Sequence, residues 1–235
     1  IVFGQTIVGP VLTGILFLIV ISIAWGDDRG EVLGLPFIEF LAPGLISMQV
    51  IQQAFSHSSS SILMGKVMGN IVDLIGSPLS AAEVTLAIVL ASVTRSFIIC
   101  IVSIICFNLL VDVKVLNYYY FFAYLIFSSF FMGSLGFIAG MWAEKFDNMA
   151  TVTNFIIVPL SFLSGAFYSI ERLPDFLKSI SNYNPFFHMI DGLRFSMIGT
   201  SDGSIIFGLL YLLSFNLIFW CTAYYLYKKG YKIKS

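Results

Sequence analysis

Charged side chains are scarce in this chain: only 11% of its 235 residues are aspartate, glutamate, lysine or arginine, while 58% are hydrophobic. A soluble domain has about 25% charged residues, so the composition excludes an ordinary soluble protein and predicts an integral membrane protein. The formal net charge of −1 excludes the basic footprint of a nucleic-acid-binding protein. We therefore expect membrane lipid around the chain and no nucleic-acid partner.

The chain also lacks the motifs of catalytic and metal-binding proteins. Its three cysteines, Cys100, Cys106 and Cys221, lie inside apolar runs and show neither zinc-ligand spacing nor a disulfide framework. There is no Gly-x-x-x-x-Gly-Lys-Ser/Thr loop to cradle nucleotide phosphates and no nucleophile elbow, and the two histidines, His57 and His188, are far apart in sequence. We predict that the chain is not by itself an enzyme and that it binds no metal or cofactor.

Six apolar segments are each long enough to cross a bilayer as a helix. They predict an all-α integral membrane protein with six transmembrane spans, at residues 2–25, 35–57, 86–110, 118–142, 151–170 and 205–227. An even number of spans places both ends of the chain on one side. Residues 228–234 contain four lysines and no acidic residue. Because cytosolic segments carry an excess of lysine and arginine, we expect both ends in the cytosol.

A polar stretch at residues 68–80 interrupts the apolar runs between the second and third spans. Its apolar residues recur with the i, i+3, i+4, i+7 spacing of one helical face: Met68, Ile71, Val72 and Ile75. Gly76 and Pro78 end this helix, and Ser80 followed by Glu83 is a capping box for the next one. A short helix between two spans has little apolar core of its own to join, so we expect it to dock onto another protein.

A second long connection, at residues 171–204, carries two apolar pieces that are each too short to span a bilayer. We interpret them as two small helices, broken at residues 182–185, that lie in the membrane interface or dip part-way into it. Re-entrant backbone of this kind is tolerated only where it is buried in protein or lies beside water. Asp191 and Arg194 are three residues apart, a spacing that predicts a local ion pair on one helical face.

Two stretches of the sequence resemble the signature of ABC-2 type transporter permeases. Residues 155–174 have the family's Pro…Ser-Gly-x-Phe-Tyr run followed by an outer Leu-Pro, and residues 184–194 have its Pro…His…Asp…Arg pattern. Residues 69–80 resemble the family's cytosolic coupling helix and the Pro-Leu-Ser turn after it, and residues 40–45 resemble part of its second span. The matches follow the family's order and spacing.

The resemblance implies a role for each of these segments. The residues implied to form the coupling helix that docks on an ATPase are Met68, Asn70, Ile71, Val72, Asp73, Ile75 and Pro78. The residues implied to line the dimer seam and the transport path in span five are Pro159, Ser161, Ser164 and Gly165. The residues of the implied outer re-entrant segment are Pro174, Pro185, His188, Asp191 and Arg194.

As a whole, the resemblance implies one ABC-2 transmembrane domain over residues 1–235, with six spans, a cytosolic coupling helix and an outer re-entrant helix pair. Two such permeases dimerise, and two separate ABC ATPase subunits, which hold ATP and Mg, drive export between them. The chain looks most similar to the drug and lipo-oligosaccharide export branch. We therefore expect an amphipathic drug, lipid or glycolipid as substrate and the bacterial inner membrane as location. The family's amphipathic helix before span one is expected to be missing from this sequence.

Other kinds of membrane protein stay open at this point. Polysaccharide and O-antigen export permeases share the implied fold. A channel or secondary transporter that needs no ATPase predicts a charged or polar stripe through the spans, which this sequence does not show. A structural or assembly protein needs neither a coupling helix nor a re-entrant pair. Recovery of an ATPase subunit with the intact complex separates an ABC permease from a channel or secondary transporter and from a structural protein.

Overall fold

The computed structural model describes residues 4–25 and 30–232 of the chain, and most of them are helical. A short antiparallel hairpin pairs β1 (Glu31–Val32) with β2 (Leu35–Pro36). The α-helices of the described residues are α1 (Gly9–Trp25), α2 (Phe37–Val67), α3 (Ile71–Gly76), α4 (Ala81–Phe107), α5 (Tyr118–Trp142), α6 (Phe146–Val152), α7 (Val158–Phe162), α8 (Asp175–Tyr183), α9 (Pro185–Ile198) and α10 (Ile205–Lys228). Gly4–Val8 and Thr153–Ile157 are π-helical, and Ile170–Arg172 is a 3-10 helix.

Among the described residues, four helical segments are long and apolar enough to cross a membrane: Thr6–Ala24, Ala81–Phe107, Tyr118–Trp142 and Ile205–Lys228. They correspond to the first, third, fourth and sixth predicted spans, apart from residues 2 and 3, which lie outside the described residues. The predicted second span lies within α2, and the predicted fifth span is divided among α6, a π-helical segment and α7. A count of six spans therefore stays a prediction.

The second predicted span is longer in the structure than the sequence indicated. Helix α2 continues past His57 to Val67, through a run of four serines that resembled the start of a loop. The hydroxyl groups of Ser60 and Ser61 donate to the carbonyl oxygen of His57, at 3.2 and 2.7 Å. Because these side chains bond back to the preceding helical turn, the serine run does not end the helix.

The fifth predicted span is shorter than expected. The helical segment ends at Phe162 rather than at residue 170, because the chain turns at Gly165. The φ angle of Gly165 is +74°, a left-handed conformation that other residues rarely adopt.

The chain forms two compact units, each assembled from three stretches of sequence. Unit 1 comprises Ile1–Val50, Phe97–Leu125 and Leu160–Leu210, and unit 2 comprises Ile51–Ser96, Ile126–Pro159 and Tyr211–Ser235. Within unit 1, α9 is a core helix, because 11 of its 14 residues are buried. The Asn184 side chain caps α9 by accepting a hydrogen bond from the backbone N–H of Phe186 at 3.0 Å, and Pro185 occupies the first turn.

In unit 2, the glycines of α5 allow close backbone contact with α2. Added Cβ atoms at Gly136 and Gly140 would lie 2.4 Å from the carbonyl oxygen of Phe55 and 2.7 Å from that of Ser59. The small-xxx-small pattern of α5 therefore packs on α2. The predicted capping box of α4 is confirmed: the backbone N–H of Ser80 donates to a carboxylate oxygen of Glu83 at 2.7 Å, and the N–H of Glu83 donates to Ser80 Oγ at 3.3 Å.

Candidate functional site

The predicted coupling helix exists as α3, but its apolar residues do not share one exposed face. Ile71 is only 5% exposed and joins an apolar cluster with Ile62, Phe137, Met141 and Ala223. The interpretation that this helix has little apolar core of its own to join is therefore wrong. The apolar spacing predicts a helical face, but it cannot tell whether the rest of the same chain covers that face.

The remaining residues of this segment are mostly on the surface. Met68 and Val72 are 63% and 67% exposed, and Asn70, Asp73 and Pro78 are also exposed. Met68 precedes α3, since Gly69, with a φ angle of +78°, separates it from the helix. The side chain of Ile75 lies outside the described residues. The exposed part of the segment thus combines two apolar side chains with the polar side chains of Asn70 and Asp73.

Lys66, just before this segment, anchors the end of α5 in unit 2. Its Nζ donates hydrogen bonds to the carbonyl oxygens of Met141 and Ala143, at 2.8 and 2.5 Å. Carbonyl groups at a helix C-terminus lack partners within the helix and carry partial negative charge, so a lysine there is stabilising. Burial lowers the pKa of Lys66, an effect that Glu144 opposes. No sequence pattern identified this contact, which joins residues 75 or more positions apart.

A cavity of about 270 Å³ in unit 2 has one partly polar and one mainly apolar wall. The partly polar wall comes from α2 and includes Phe55 and Leu63. Its amide and hydroxyl groups recur on one helical face: Gln52, Gln53, Ser56, Ser59 and Ser60. The facing wall, from residues 146–157, is mainly apolar and includes Phe146, Met149 and Ile157. Within the part of the chain that the structure describes, no charged side chain lines the cavity. The spacing of Gln52, Ser56 and Ser59 is the sequence signal that predicts this wall, and it was not recognised from the sequence alone.

Arg194 is the centre of a buried polar network in unit 1. Its side chain is 1% exposed, and its Nη1 lies 3.7 Å from a carboxylate oxygen of Asp202. Nη2 donates to the carbonyl oxygen of Gly165 at 2.5 Å, and the guanidinium lies 4.0 Å from the centre of the Phe40 ring. These three contacts attach α9 to the loop after it, to the turn at Gly165 and to α2.

Two carboxylates complete this network. Asp191 accepts the backbone N–H groups of Asp202 and Gly203, at 2.9 and 3.0 Å. Asp202 accepts a hydrogen bond from the hydroxyl of Ser169 and another from the N–H of Ile170, the latter at 3.3 Å. Burial raises the pKa of Asp191, against the opposing effects of its backbone donors and Arg194.

The predicted ion pair between Asp191 and Arg194 is corrected by this geometry. Among the described residues, the salt bridge of Arg194 is with Asp202, while Asp191 binds backbone N–H groups. The helical spacing placed Asp191 close to Arg194, but the turn after α9 brings a second carboxylate to the guanidinium. Nothing in the sequence marked Asp202, because it lies in a loop without a periodic pattern.

The other residues of the predicted re-entrant segment occupy the ends and the core of the α8–α9 segment. Pro174 precedes α8 as its N-cap and Pro185 begins α9. The Nε2 of His188 donates to the carbonyl oxygen of Asn182 at 2.8 Å, and burial lowers the pKa of His188. The structure thus brings Asp191 and Arg194 into one network and places His188 in a separate contact.

Most of the predicted seam residues of span five are buried within their own chain. Ser161, Ser164 and Gly165 are buried in unit 1, whereas Pro159 is exposed. The three buried residues therefore offer little surface to a second copy. In unit 2, the exposed residues of the same helical segment include Phe155, at 78% exposure, and Ile156, at 49%.

Comparison with known proteins identifies the family of this chain. Residues 3–198 match the ABC-2 type transporter family. This chain belongs to that family. It is 30% identical over 223 residues to the inner membrane transport permease YadH of Escherichia coli K12, covering 93% of this chain and 87% of that protein. It is 23% identical over 216 residues to nodulation protein J of Sinorhizobium fredii, covering 85% of this chain and 77% of that protein.

Family membership makes the chain a membrane permease component of an ABC transporter. Permeases of this family work with ATPase partners, and the similar proteins of Escherichia coli are named transport permeases of the inner membrane. The four membrane-capable helical segments agree with this assignment.

Proposed function

We propose that this ABC-2 permease dimerises and exports an amphipathic molecule, driven by two separate ATPase subunits that hold ATP and Mg. The observation that carries the proposal is the position of α3. One side of this short helix is fixed to the chain's own core through Ile71, while Val72 and Asp73 remain exposed. A partner that moves the exposed side therefore also displaces the core cluster.

The contacts of Ile71 indicate which helices such a displacement would move. The cluster around Ile71 contains Phe137 and Met141 of α5 and Ala223 of α10. Protein interiors are closely packed and transmit strain, so movement of α3 acts on two of the membrane-capable helices. This coupling does not require the whole apolar face of α3 to contact the ATPase.

The two-sided cavity supports an amphipathic substrate. Amide and hydroxyl groups on α2 can hydrogen-bond an uncharged polar group, and Met149 and Ile157 offer an apolar surface to the rest of the molecule. Because no charged side chain is found among the described residues that line this cavity, it favours a neutral molecule over a strongly charged one. A drug, lipid or glycolipid satisfies these requirements.

The lysines of residues 228–232 support one orientation of the permease in the proposed location, the bacterial inner membrane. With residues 228–232 in the cytosol, six spans place α3 on the cytosolic side and the α8–α9 segment on the outer side. The α8–α9 segment then closes the outer end of the path, and its buried Arg194 network holds it in the closed form.

Substitution of Val72 tests the docking surface without disturbing the core. We expect Val72→Asp to reduce both co-purification of the ATPase subunit and stimulation of ATP hydrolysis by about tenfold, because it puts a charge into an apolar contact. Tyr119→Asp, at an exposed aromatic residue outside the α3 segment, is the control. Recovery of the permease in a single gel-filtration peak checks its folding.

Normal ATPase binding and normal stimulation by a folded Val72→Asp variant would exclude α3 as the docking element. Failure of the wild-type permease to recover any ATPase would instead contradict the proposed coupling to separate ATPase subunits. The two results therefore separate an error about this helix from an error about the ATPase partners.

A further inference from the structure

A positive charge lies within one of the membrane-capable helices of unit 2. Arg95 is near the middle of α4 (Ala81–Phe107) and is partly buried. A charged side chain at such a position is costly in a membrane, and residues of this kind commonly belong to functional sites. The Nη2 of Arg95 donates to the Oε1 of Gln53 on α2 at 3.4 Å. This contact joins the arginine to a residue that lines the two-sided cavity of unit 2.

The contact with Arg95 decides which end of the Gln53 amide is left for the cavity. A side-chain amide has an oxygen that accepts hydrogen bonds and a nitrogen that donates them, whereas a guanidinium group only donates. Arg95 can therefore bind only the oxygen, because a reversed amide would place donor against donor. The N–H groups of Gln53 remain for a molecule in the cavity.

The serine hydroxyls of the same wall do not supply a comparable donor. Ser59 Oγ donates to the carbonyl oxygen of Ser56, and Ser60 Oγ donates to that of His57, both at 3.2 Å. Because each hydroxyl has one proton and gives it to the backbone of α2, its oxygen can only accept a further hydrogen bond. Of the described amides on this wall, Gln53 is the donor that a partner holds in one orientation.

We propose that Arg95 is a positioning residue for substrate selection. By holding Gln53, it makes the cavity favour an uncharged amphiphile whose polar group accepts a hydrogen bond over a cationic amphiphile. This inference rests on the proposed function, since it takes the two-sided cavity as the place where the substrate binds. Arg95 is not among the described residues that line the cavity, so it acts through Gln53 and not by touching the substrate.

Two properties of this arrangement select against a cation. A quaternary ammonium group cannot accept a hydrogen bond, and an N–H donor that it covers is left unpaired at a cost. The positive charge of Arg95 also repels a cation, and this repulsion is stronger at low dielectric constant than in water. An anion is attracted by the same charge, but it loses its hydration in a cavity without a charged lining. An uncharged carbonyl, ether or hydroxyl oxygen avoids all three costs.

A purely structural link between α4 and α2 makes a different prediction. If Arg95 only joins the two helices, its removal lowers stability but leaves the relative affinity for two headgroups unchanged. The ratio of binding between two amphiphiles that differ only in their headgroup therefore separates the two roles. This ratio is measured within one folded sample and does not depend on its total amount.

Photolabelling with a matched pair of amphiphiles measures this ratio without transport or ATP hydrolysis. Both probes carry a diazirine on the same dodecyl chain. One ends in methyl-capped tri(ethylene glycol), whose ether oxygens accept hydrogen bonds, and the other ends in trimethylammonium. The full chain is irradiated with each probe in phosphatidylcholine nanodiscs, and labelled positions are mapped by peptide mass spectrometry. Labelling of residues 52–63 and 146–157 is divided by labelling of α10, whose largely exposed apolar surface reports how much probe has entered the bilayer.

We expect the ether probe to label the cavity of the wild-type chain about tenfold more than the ammonium probe. Arg95→Met should lower this ratio to about twofold or less, because the freed amide can turn its oxygen toward the cavity. Arg95→Lys should keep most of the ratio, since an ammonium group also donates to Gln53 Oε1. Gln53→Met removes the same donor without changing the arginine and should also lower the ratio, so the test does not depend on the folding of one variant. Gln52→Met, at the neighbouring amide of the same wall, is the matched control and should stay near the wild-type ratio.

Equal labelling by the two probes in the wild-type chain would overturn the inference. A wild-type ratio that persists in Arg95→Met and Gln53→Met would overturn it as well, and so would an equal loss in Gln52→Met and Gln53→Met. Each of these results leaves the cavity as a site for amphiphiles and leaves the proposed function standing. Labelling of α10 without labelling of the cavity by either probe would instead contradict the cavity as the substrate site, and both the proposed function and this inference would lose that support.

Discussion

A buried ionic network joins several segments of unit 1, whereas α2 and α5 meet in unit 2 through glycine contacts, apolar side chains and the hydrogen bonds of Lys66. In unit 1, Arg194 and Asp202 are both almost completely buried and bind backbone groups in several segments. In unit 2, Gly136 and Gly140 let α5 approach the backbone of α2. A buried ionic network depends on exact bond geometry and is costly when incomplete. Glycine-mediated contacts have no directional bond to lose when helices shift.

The comparison suggests a division of work within this permease. The charged network suits a segment that must be held in one arrangement, such as an outer closure. The glycine and apolar contacts suit helices that must follow the movement of α3. Each type of contact can be weakened separately, and the expected effects differ in size.

The largest effect is expected from Arg194→Ala. Removing the guanidinium leaves Asp202 buried without its cation, a change that typically costs about 3–5 kcal/mol. Thermal unfolding of the purified protein in detergent should therefore show a large drop in midpoint temperature. Lys178→Ala, which removes a lysine of α8 for which no ion pair is found among the described residues, is the control and should have little effect.

A double variant sharpens this test. Replacing both partners, as in Arg194→Met with Asp202→Leu, removes the uncompensated charge and should recover part of the stability lost in Arg194→Ala. If Arg194→Ala and Lys178→Ala unfold at the same temperature, the network does not hold unit 1 together. A double variant less stable than Arg194→Ala would show that the backbone bonds of Asp202 matter more than its charge.

The contrast also explains what the sequence could predict. Hydropathy gave α4, α5 and α10 within a few residues, because a bilayer-spanning helix needs a long apolar run and little else. The capping box of Ser80 and Glu83 was readable because both partners lie within one helical turn. Contacts between distant segments left no such signal. Asp202 reaches Arg194 through the turn after α9, and the burial of Ile71 depends on Phe137 and Ala223.

The candidate site shows the same limit. Family resemblance predicted roles for α3 and for the α8–α9 pair, but it did not show which way their side chains point. Ser161 and Ser164 looked suitable for close approach between subunits, yet they are buried in their own unit. Small residues predict close packing without naming the partner, and here the partner is the same chain.

An intermediate effect is expected from Gly140→Ala in unit 2. The added methyl group would lie 2.7 Å from the carbonyl oxygen of Ser59 and 2.9 Å from Ile62 Cβ, so α2 and α5 must separate. Overpacking of this kind costs about 1–3 kcal/mol. Gly9→Ala, where an added Cβ meets nothing within 4 Å, is the matched control. Equal unfolding midpoints of Gly140→Ala and Gly9→Ala would show that the packing of α2 on α5 does not depend on this contact.

The smallest effect on stability, and the most informative about coupling, is expected from Lys66→Met. The substitution keeps an apolar side chain of similar length but removes the two hydrogen bonds to the end of α5, and charge–helix interactions of this kind contribute about 0.3–2 kcal/mol. If Lys66 fixes α5 next to the coupling segment, ATPase stimulation should fall while ATPase binding is kept.

Lys66→Arg should restore part of the stimulation, because a guanidinium can still donate to the carbonyl oxygens of Met141 and Ala143. Lys145→Met, at an exposed position, should change neither property. A loss of stability with unchanged ATPase stimulation would show that Lys66 only caps α5. Movement of α3 would then act on α5 through the apolar cluster around Ile71 alone.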